Sequence, residues 1–259
     1  MHLIRTRFRM GPNSKALSGP IGKLLRKAVT QPRLKEFRAA LNREPTPGRR
    51  VVYMHIPFCS ARCPYCPFHV GMIGPQMGPF VDSTLRLIET LGEKPFVKGA
   101  PFDTFYFGGG SPTALPLGEL ERLIKATLKV FRPIDSHEFT VESTIRDLDG
   151  DKLKMMRDNG VTRVSVGVQS FNTEIRRNLG RVCDRDTNLS ALELLQRSGL
   201  RTAIDLMYGI PGQTVADTVE DLRYACKLGL DNVSHFRLKV FGGTALADGV
   251  KAGTFVQES

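Results

Sequence analysis

From residue 51 onward the chain alternates between two patterns. Short apolar runs rich in β-branched and aromatic residues occur at 51–56, 103–107, 138–142, 163–168, 202–207 and 233–240. Their length and composition predict strands. Between them, apolar positions recur at helical spacing, for example over 117–131, 151–159, 187–198 and 215–228, which predicts amphipathic helices. Asn159-Gly160, Ser198-Gly199 and Leu228-Gly229 put glycine at the helix ends, where a left-handed residue closes the last turn. Six strand–helix units in succession predict a parallel sheet with right-handed crossovers. Six strands are too few for the closed eight-stranded barrel.

Residues 1–50 break this rhythm. Turn residues cluster at Gly11-Pro12-Asn13-Ser14, Gly19-Pro20 and Pro45-Thr46-Pro47-Gly48. One helix, about 21–42, fits between them. The segment carries 13 Lys and Arg against 2 Asp and Glu, whereas the other 209 residues carry 24 of each. The whole net charge of +11 therefore sits on the leader, and the body is neutral. The expected organisation is a basic N-terminal extension (1–49), an α/β core (50–243) and the start of a C-terminal connection (244–259). Without a run of 18 apolar residues or a signal-peptide pattern, the expectation is a cytoplasmic protein with no membrane span. No base-stacking aromatic pattern accompanies the basic residues, so nucleic acid is not an expected partner.

The chemistry concentrates in one segment, His55-Ile-Pro-Phe-Cys59-Ser-Ala-Arg-Cys63-Pro-Tyr-Cys66. Its spacing, C-x3-C-x2-C, places three thiolates on one loop rich in proline. Three thiolates can each take one iron of a [4Fe-4S] cluster and leave the fourth iron open to a ligand. The occupant that fits is S-adenosyl-L-methionine (SAM), bound through its amino and carboxylate groups and cleaved by one electron to a 5′-deoxyadenosyl radical. The alternatives are a zinc site completed by His69, though such sites usually pair two C-x2-C units, and three inert core cysteines. Cys183 and Cys226 read as ordinary thiols, and five cysteines so placed do not form a disulfide framework.

The cysteine segment resembles the radical SAM signature. Phe107-Gly-Gly-Gly-Ser-Pro-Thr113, Phe139-Thr-Val-Glu-Ser143, Arg163-Val-Ser-Val-Gly-Val-Gln-Ser-Phe171 and Asp205-Leu-Met-Tyr-Gly-Ile-Pro-Gly-Gln-Thr214 follow it in order. Together they resemble the oxygen-independent coproporphyrinogen III oxidase family over about residues 50–250. The resemblance implies a radical SAM partial (β/α)6 TIM-like barrel with its chemistry at the C-terminal ends of the strands. It implies cluster ligation by Cys59, Cys63 and Cys66. It further implies SAM contacts from Tyr53, Tyr65, Gly109, Gly110, Ser111, Glu142, Gln169, Arg181 and Asp205, with Arg181 on the helix after the fourth strand. In the oxidases some of these positions hold a second SAM, so one or two are expected. Ser111 keeps the hydroxyl of the family's threonine.

Departures from the pattern narrow the branch. True oxidases carry a fourth cysteine two residues after the third, where this chain has Phe68. Phe68, Thr-Val-Glu142 and Asp-Leu-Met-Tyr-Gly209 resemble the heme-utilisation branch, whose members open the heme ring by radical methyl transfer. The expected substrate is a tetrapyrrole, heme or porphyrin. A heme-binding chaperone on the same fold is the competing class and coproporphyrinogen III dehydrogenase the third. A chaperone needs an axial ligand, for which His69 and His235 are candidates beside the structural His55. Relatives continue into a substrate-covering C-terminal domain that is expected to be largely absent here. An acidic flavodoxin or ferredoxin is the expected electron donor, with the basic leader either its docking arm or a solvated extension.

Overall fold

The computed structural model describes residues 34–256. Most of the leader and of its expected helix lies outside them; the described part, Leu34–Leu41 (α1), is helical. Six strands form one sheet: Val51–Ile56 (β1), Phe102–Gly109 (β4), Pro133–Ser143 (β5), Arg163–Gln169 (β6), Arg201–Tyr208 (β7) and Asn232–Arg237 (β8). They lie in the order β1-β4-β5-β6-β7-β8, every neighbour parallel. Among the described residues, strands β1 and β8 each have a single neighbour, so the barrel is open there. A separate ribbon pairs Phe58–Cys59 (β2) with Gly71–Met72 (β3).

Alternation along the strands decides which face meets the helices. Met54, Ile56, Phe105, Phe107, Phe139, Val141, Val164, Val166, Ile204 and Leu206 share one buried core with Val81, Ile88, Leu120, Leu123, Ile124, Leu153, Met156, Leu192 and Leu195. The latter come from helices Met77–Gly92 (α2), Leu117–Phe131 (α4), Gly150–Asp158 (α5) and Arg185–Arg197 (α7). Pro95–Lys98 (α3), Thr173–Asn178 (α6), Val215–Lys227 (α8) and Ala245–Lys251 (α9) complete the helices among the described residues. Each fully buried side chain contributes about 1.5–3 kcal/mol, which is why this layer and not local propensity fixes the register. The expected glycines end their helices at positive φ: Gly160 at 88°, Gly199 at 81° and Gly229 at 63°. Thr214 and Asp217 form a reciprocal capping box on α8.

Several boundaries differ from the expected ones. Strand β5 begins at Pro133, not at 138, because Arg132 turns the chain from α4 straight into the sheet at φ 43°. Strand β8 stops at Arg237, not at 240. Gly108 and Gly109 belong to β4 and do not follow it. Arg181 lies beyond α6, which ends at Asn178 ahead of Gly180 at φ 69°. The segment after 243 carries a packed helix. Helix α9 buries Leu246 and Ala247 and shares a second core with Ile175, Leu179, Ile210, Leu238 and Tyr65.

Candidate active site

The cysteine loop is stapled at its base. Gly71 N–H donates to Pro57 O at 2.6 Å and Ile73 N–H to Cys59 O at 3.3 Å. From the neighbouring strand end, Gly110 N–H donates to Ile56 O (2.8 Å) and Ser111 N–H to Phe58 O (2.7 Å). From the far side, Leu246 N–H of α9 donates to Pro64 O at 2.9 Å. The loop thus sits over the C-terminal ends of the strands, where this architecture puts its chemistry.

One cavity opens there. Its wall carries Cys59, Cys63 and Cys66 together with Tyr65, Gly109, Gly110, Glu142, Gln169, Arg181 and Asp205. Ten of the twelve expected residues therefore meet. Two do not. Ser111 is 1% exposed, and its hydroxyl is spent on Asp147 Oδ2 at 2.6 Å. Tyr53 does not line the cavity; it is 58% exposed and stacks on Tyr106, the partner of Glu142.

The three thiols are half-buried and unpaired by disulfides. Burial, then the nearby Cys63 and Cys66, then Asp147, push the Cys59 thiol up to about 11. Burial likewise raises Cys66. Three thiolates on one wall repel one another unless a cation comes between them. Among the described residues, no three His, Cys, Asp or Glu side chains converge closely enough to hold a single metal ion. The C-x3-C-x2-C donor set fits a cluster, one thiolate to each of three irons, whereas zinc sites usually pair two C-x2-C units. His69 is exposed and is not on the cavity wall.

The rest of the wall is polar. Arg181 Nη2 donates to Tyr65 Oη at 3.1 Å, while its buried Nε has no acceptor. Burial works against the Arg181 charge, but Tyr65, Cys63 and Cys59 outweigh it, and the pKa is raised. An unspent guanidinium donor beside the thiols suits a carboxylate ligand. Burial pushes Tyr65 up to about 12. Asp205 is raised too, by burial first, while the Ser234 and Ser165 hydroxyls support its charge. Gln169 ends β6 at φ 72°, at a register shift against β7 that turns its side chain to the cavity.

Four wall or support residues escaped the sequence reading. Asp147 accepts from Ser111 and from Thr144 Oγ1 (2.7 Å), tying the glycine turn to the end of β5; no motif spacing marks it. Tyr106 donates to Glu142 Oε1 at 2.7 Å, and its place two residues before Gly108 on one strand face was legible. Cys183, a free and half-buried thiol, stands on the same wall as Cys59, Cys63 and Cys66. Arg176 also reaches the wall, although it is almost wholly buried. Of the histidines, His55 meets Tyr53 Oη at 3.3 Å, in keeping with a structural role. His235 packs on Tyr208, ring centroids 4.8 Å apart, away from the cavity.

Known proteins resemble this chain. The sequence profile of the radical SAM superfamily matches residues 53–225. The anaerobilin synthase of Escherichia coli O157:H7 is 34% identical over 216 residues, which is 82% of this chain and 48% of that protein. A heme chaperone of Bacillus subtilis strain 168 is 34% identical over 192 residues, 73% of this chain and 50% of that one. The structure of coproporphyrinogen III oxidase from Escherichia coli, a radical SAM enzyme, aligns with a TM-score of 0.71 at 29% identity. That alignment covers 79% of this chain and 47% of the other. The chain spans about half the length of each of these relatives.

Proposed function

We propose that this chain, which belongs to the radical SAM superfamily, cleaves SAM reductively and acts on a tetrapyrrole. Heme or a porphyrin is the substrate class, and radical methyl transfer or ring opening in heme utilisation is the reaction. The observation that carries this reading is the one cavity wall that brings three cysteines together with Glu142, Arg181 and Asp205. In this reading Cys59, Cys63 and Cys66 hold a [4Fe-4S] cluster. Arg181 meets the SAM carboxylate, the backbone at Gly109 and Gly110 its amino group, and Glu142 its ribose hydroxyls. Tyr65, Gln169 and Asp205 complete the wall. When bound, the cluster supplies one electron to SAM and thereby a carbon radical. The residues bind, orient and shelter it from water.

The 34% identity with an anaerobilin synthase supports turnover of heme. Phe68, which lines the cavity where a fourth cysteine would stand in the oxidases, argues against the oxidase reading and suits the heme-trafficking and heme-utilisation branches alike. Identity with a heme chaperone favours a second reading, in which heme is carried unchanged. Anaerobic reconstitution with iron and sulfide, then incubation with SAM, a reductant and heme, separates them by mass spectrometry. A modified tetrapyrrole supports the enzyme. Stoichiometric heme binding with no product overturns it in favour of the chaperone.

Two expected results test the parts. Glu142→Ala should weaken equilibrium SAM binding by about 1–3 kcal/mol, the loss when hydrogen bonds to a charged acceptor disappear. Unchanged binding would remove Glu142 from the SAM site. The second concerns the electron donor, proposed to be an acidic flavodoxin or ferredoxin of the cytoplasm steered by the basic leader. Deleting residues 1–45 should slow reduction by flavodoxin at low salt but spare turnover driven by dithionite, which has no docking surface. Equal flavodoxin rates in the intact and shortened chains would leave the leader without a docking role. Among the described residues no helix is long and apolar enough to cross a membrane.

A further inference from the structure

The Glu142 carboxylate is gripped by the protein itself. Tyr106 Oη donates to Oε1 at 2.7 Å and Gly109 N–H to Oε2 at 3.1 Å. These two donors come from one strand, β4, and fix the rotation of the carboxylate. That torsion is otherwise broad and roughly two-fold. An ionised carboxylate has about four lone-pair sites, so two remain for a ligand.

Tyr106 is itself fixed. Its ring stacks on Tyr53 of β1, centroids 6.0 Å apart and planes 26° from parallel. The two residues are register partners and share a face of the sheet. Tyr53 Oη meets His55 Nδ1 at 3.3 Å. The His55 ring lies against Gly109, where a Cβ would come within 2.4 Å of Nδ1. Gly109 adopts φ 108°, open to glycine alone in practice, and its N–H returns to Glu142. The contacts form a closed circuit through Tyr106, Tyr53, His55, Gly109 and Glu142. Burial, then the hydrogen bond to Glu142 and its charge, raise the Tyr106 phenol, so it remains a protonated donor.

We propose that Tyr106 is a positioning residue. Through its hydrogen bond it holds the Glu142 carboxylate in the orientation that accepts the ribose hydroxyls of SAM. This rests on the placement of Glu142 given above. Preorganisation of this kind removes an ordering cost at the moment of binding, and Tyr106 exerts it without touching the ligand.

Tyr106→Phe keeps the ring and its stack on Tyr53 and removes only the hydroxyl. A double-mutant cycle with Glu142→Gln isolates the route of action. Equilibrium dialysis of SAM against the reconstituted protein gives the binding constant. Iron content and thermal midpoint check that cluster and fold persist. Tyr106→Phe is expected to weaken SAM binding about tenfold, an effect of the size of one hydrogen bond to a charged group. The double variant is expected to bind no more weakly than Glu142→Gln alone. The SAM-induced change in the electron paramagnetic resonance spectrum of the reduced cluster should broaden in Tyr106→Phe, since the ligand is less narrowly placed. Normal binding by Tyr106→Phe beside weakened Glu142→Gln would overturn the positioning role alone, as would losses that multiply in the double variant. Normal binding by Glu142→Gln would overturn the placement of Glu142 itself, and the positioning role with it.

Discussion

Replacing Cys63 with alanine should leave a chain that folds but holds no stable cluster. Cys63 lies at the centre of the C-x3-C-x2-C run, half-buried on a loop and not in the sheet core. Its removal therefore costs little packing, and the loop keeps its hydrogen bonds to Pro57 O, Cys59 O and Pro64 O. The loss falls on the donor set. With three thiolates, each of three irons has a protein ligand; with two, a second iron is exposed to solvent and exchange. Reconstituted wild-type protein should hold about four irons per chain with equivalent sulfide and bleach in air. Cys63→Ala should retain almost none after desalting. The control is Cys183→Ala, since Cys183 stands on the same wall but outside the spaced run. It should keep the cluster. If Cys63→Ala kept its iron and sulfide, or if the wild-type protein bound one zinc tightly without sulfide, the cluster assignment would fail.

The contrast between these two cysteines marks what a sequence can and cannot reveal here. The six strands were legible because each is a short apolar run between helical stretches, and a parallel sheet covered by helices needs such runs. The cavity was legible because its residues sit at strand ends, where order in the chain translates into order around the barrel. What was lost lies off that translation. Arg181 was assigned to a helix, but Gly180 ends the helix first and swings the arginine onto Tyr65. Ser111 keeps the expected hydroxyl but turns it inward to Asp147, an acid with no signature spacing. Tyr53 is not on the cavity wall itself; its register places it beside Tyr106, which bonds the wall residue Glu142. Helix α9 spans only seven residues, too few for a periodic signal, and its contact with Pro64 is made across most of the chain length. Each of these placements depends on a contact between distant segments that no local pattern records.

Arg176 is the extreme case, and replacing it should cost more stability than any surface change. Nothing in the sequence distinguishes it from Arg177. In the fold Arg176 is 1% exposed, whereas Arg177 makes an exposed pair with Glu174. The Arg176 guanidinium donates through Nη1 to Val168 O and Ser170 O (3.3 Å), and through Nε to Cys183 O (3.0 Å). One side chain thus joins the end of β6, the turn after it and the loop that carries Arg181 and Cys183. Burial, then the nearby Arg181 charge, lower its pKa to about 10, so it remains charged at neutral pH. A buried cation is costly, and here three carbonyl oxygens in place of water offset that cost. Arg176→Ala would leave those carbonyls without their donor and open a cavity. Together these should remove about 3–5 kcal/mol from the unfolding free energy measured anaerobically in urea. Arg176→Lys should recover only part, because an ammonium lacks the planar fork that reaches carbonyls on separate segments. Arg177→Ala should change stability by less than about 0.5 kcal/mol, as exposed pairs do. The same loop holds Arg181 against Tyr65, so the Arg176→Ala protein that remains folded should also bind SAM more weakly. Equal stability losses at positions 176 and 177 would mean that the guanidinium does not bridge these segments.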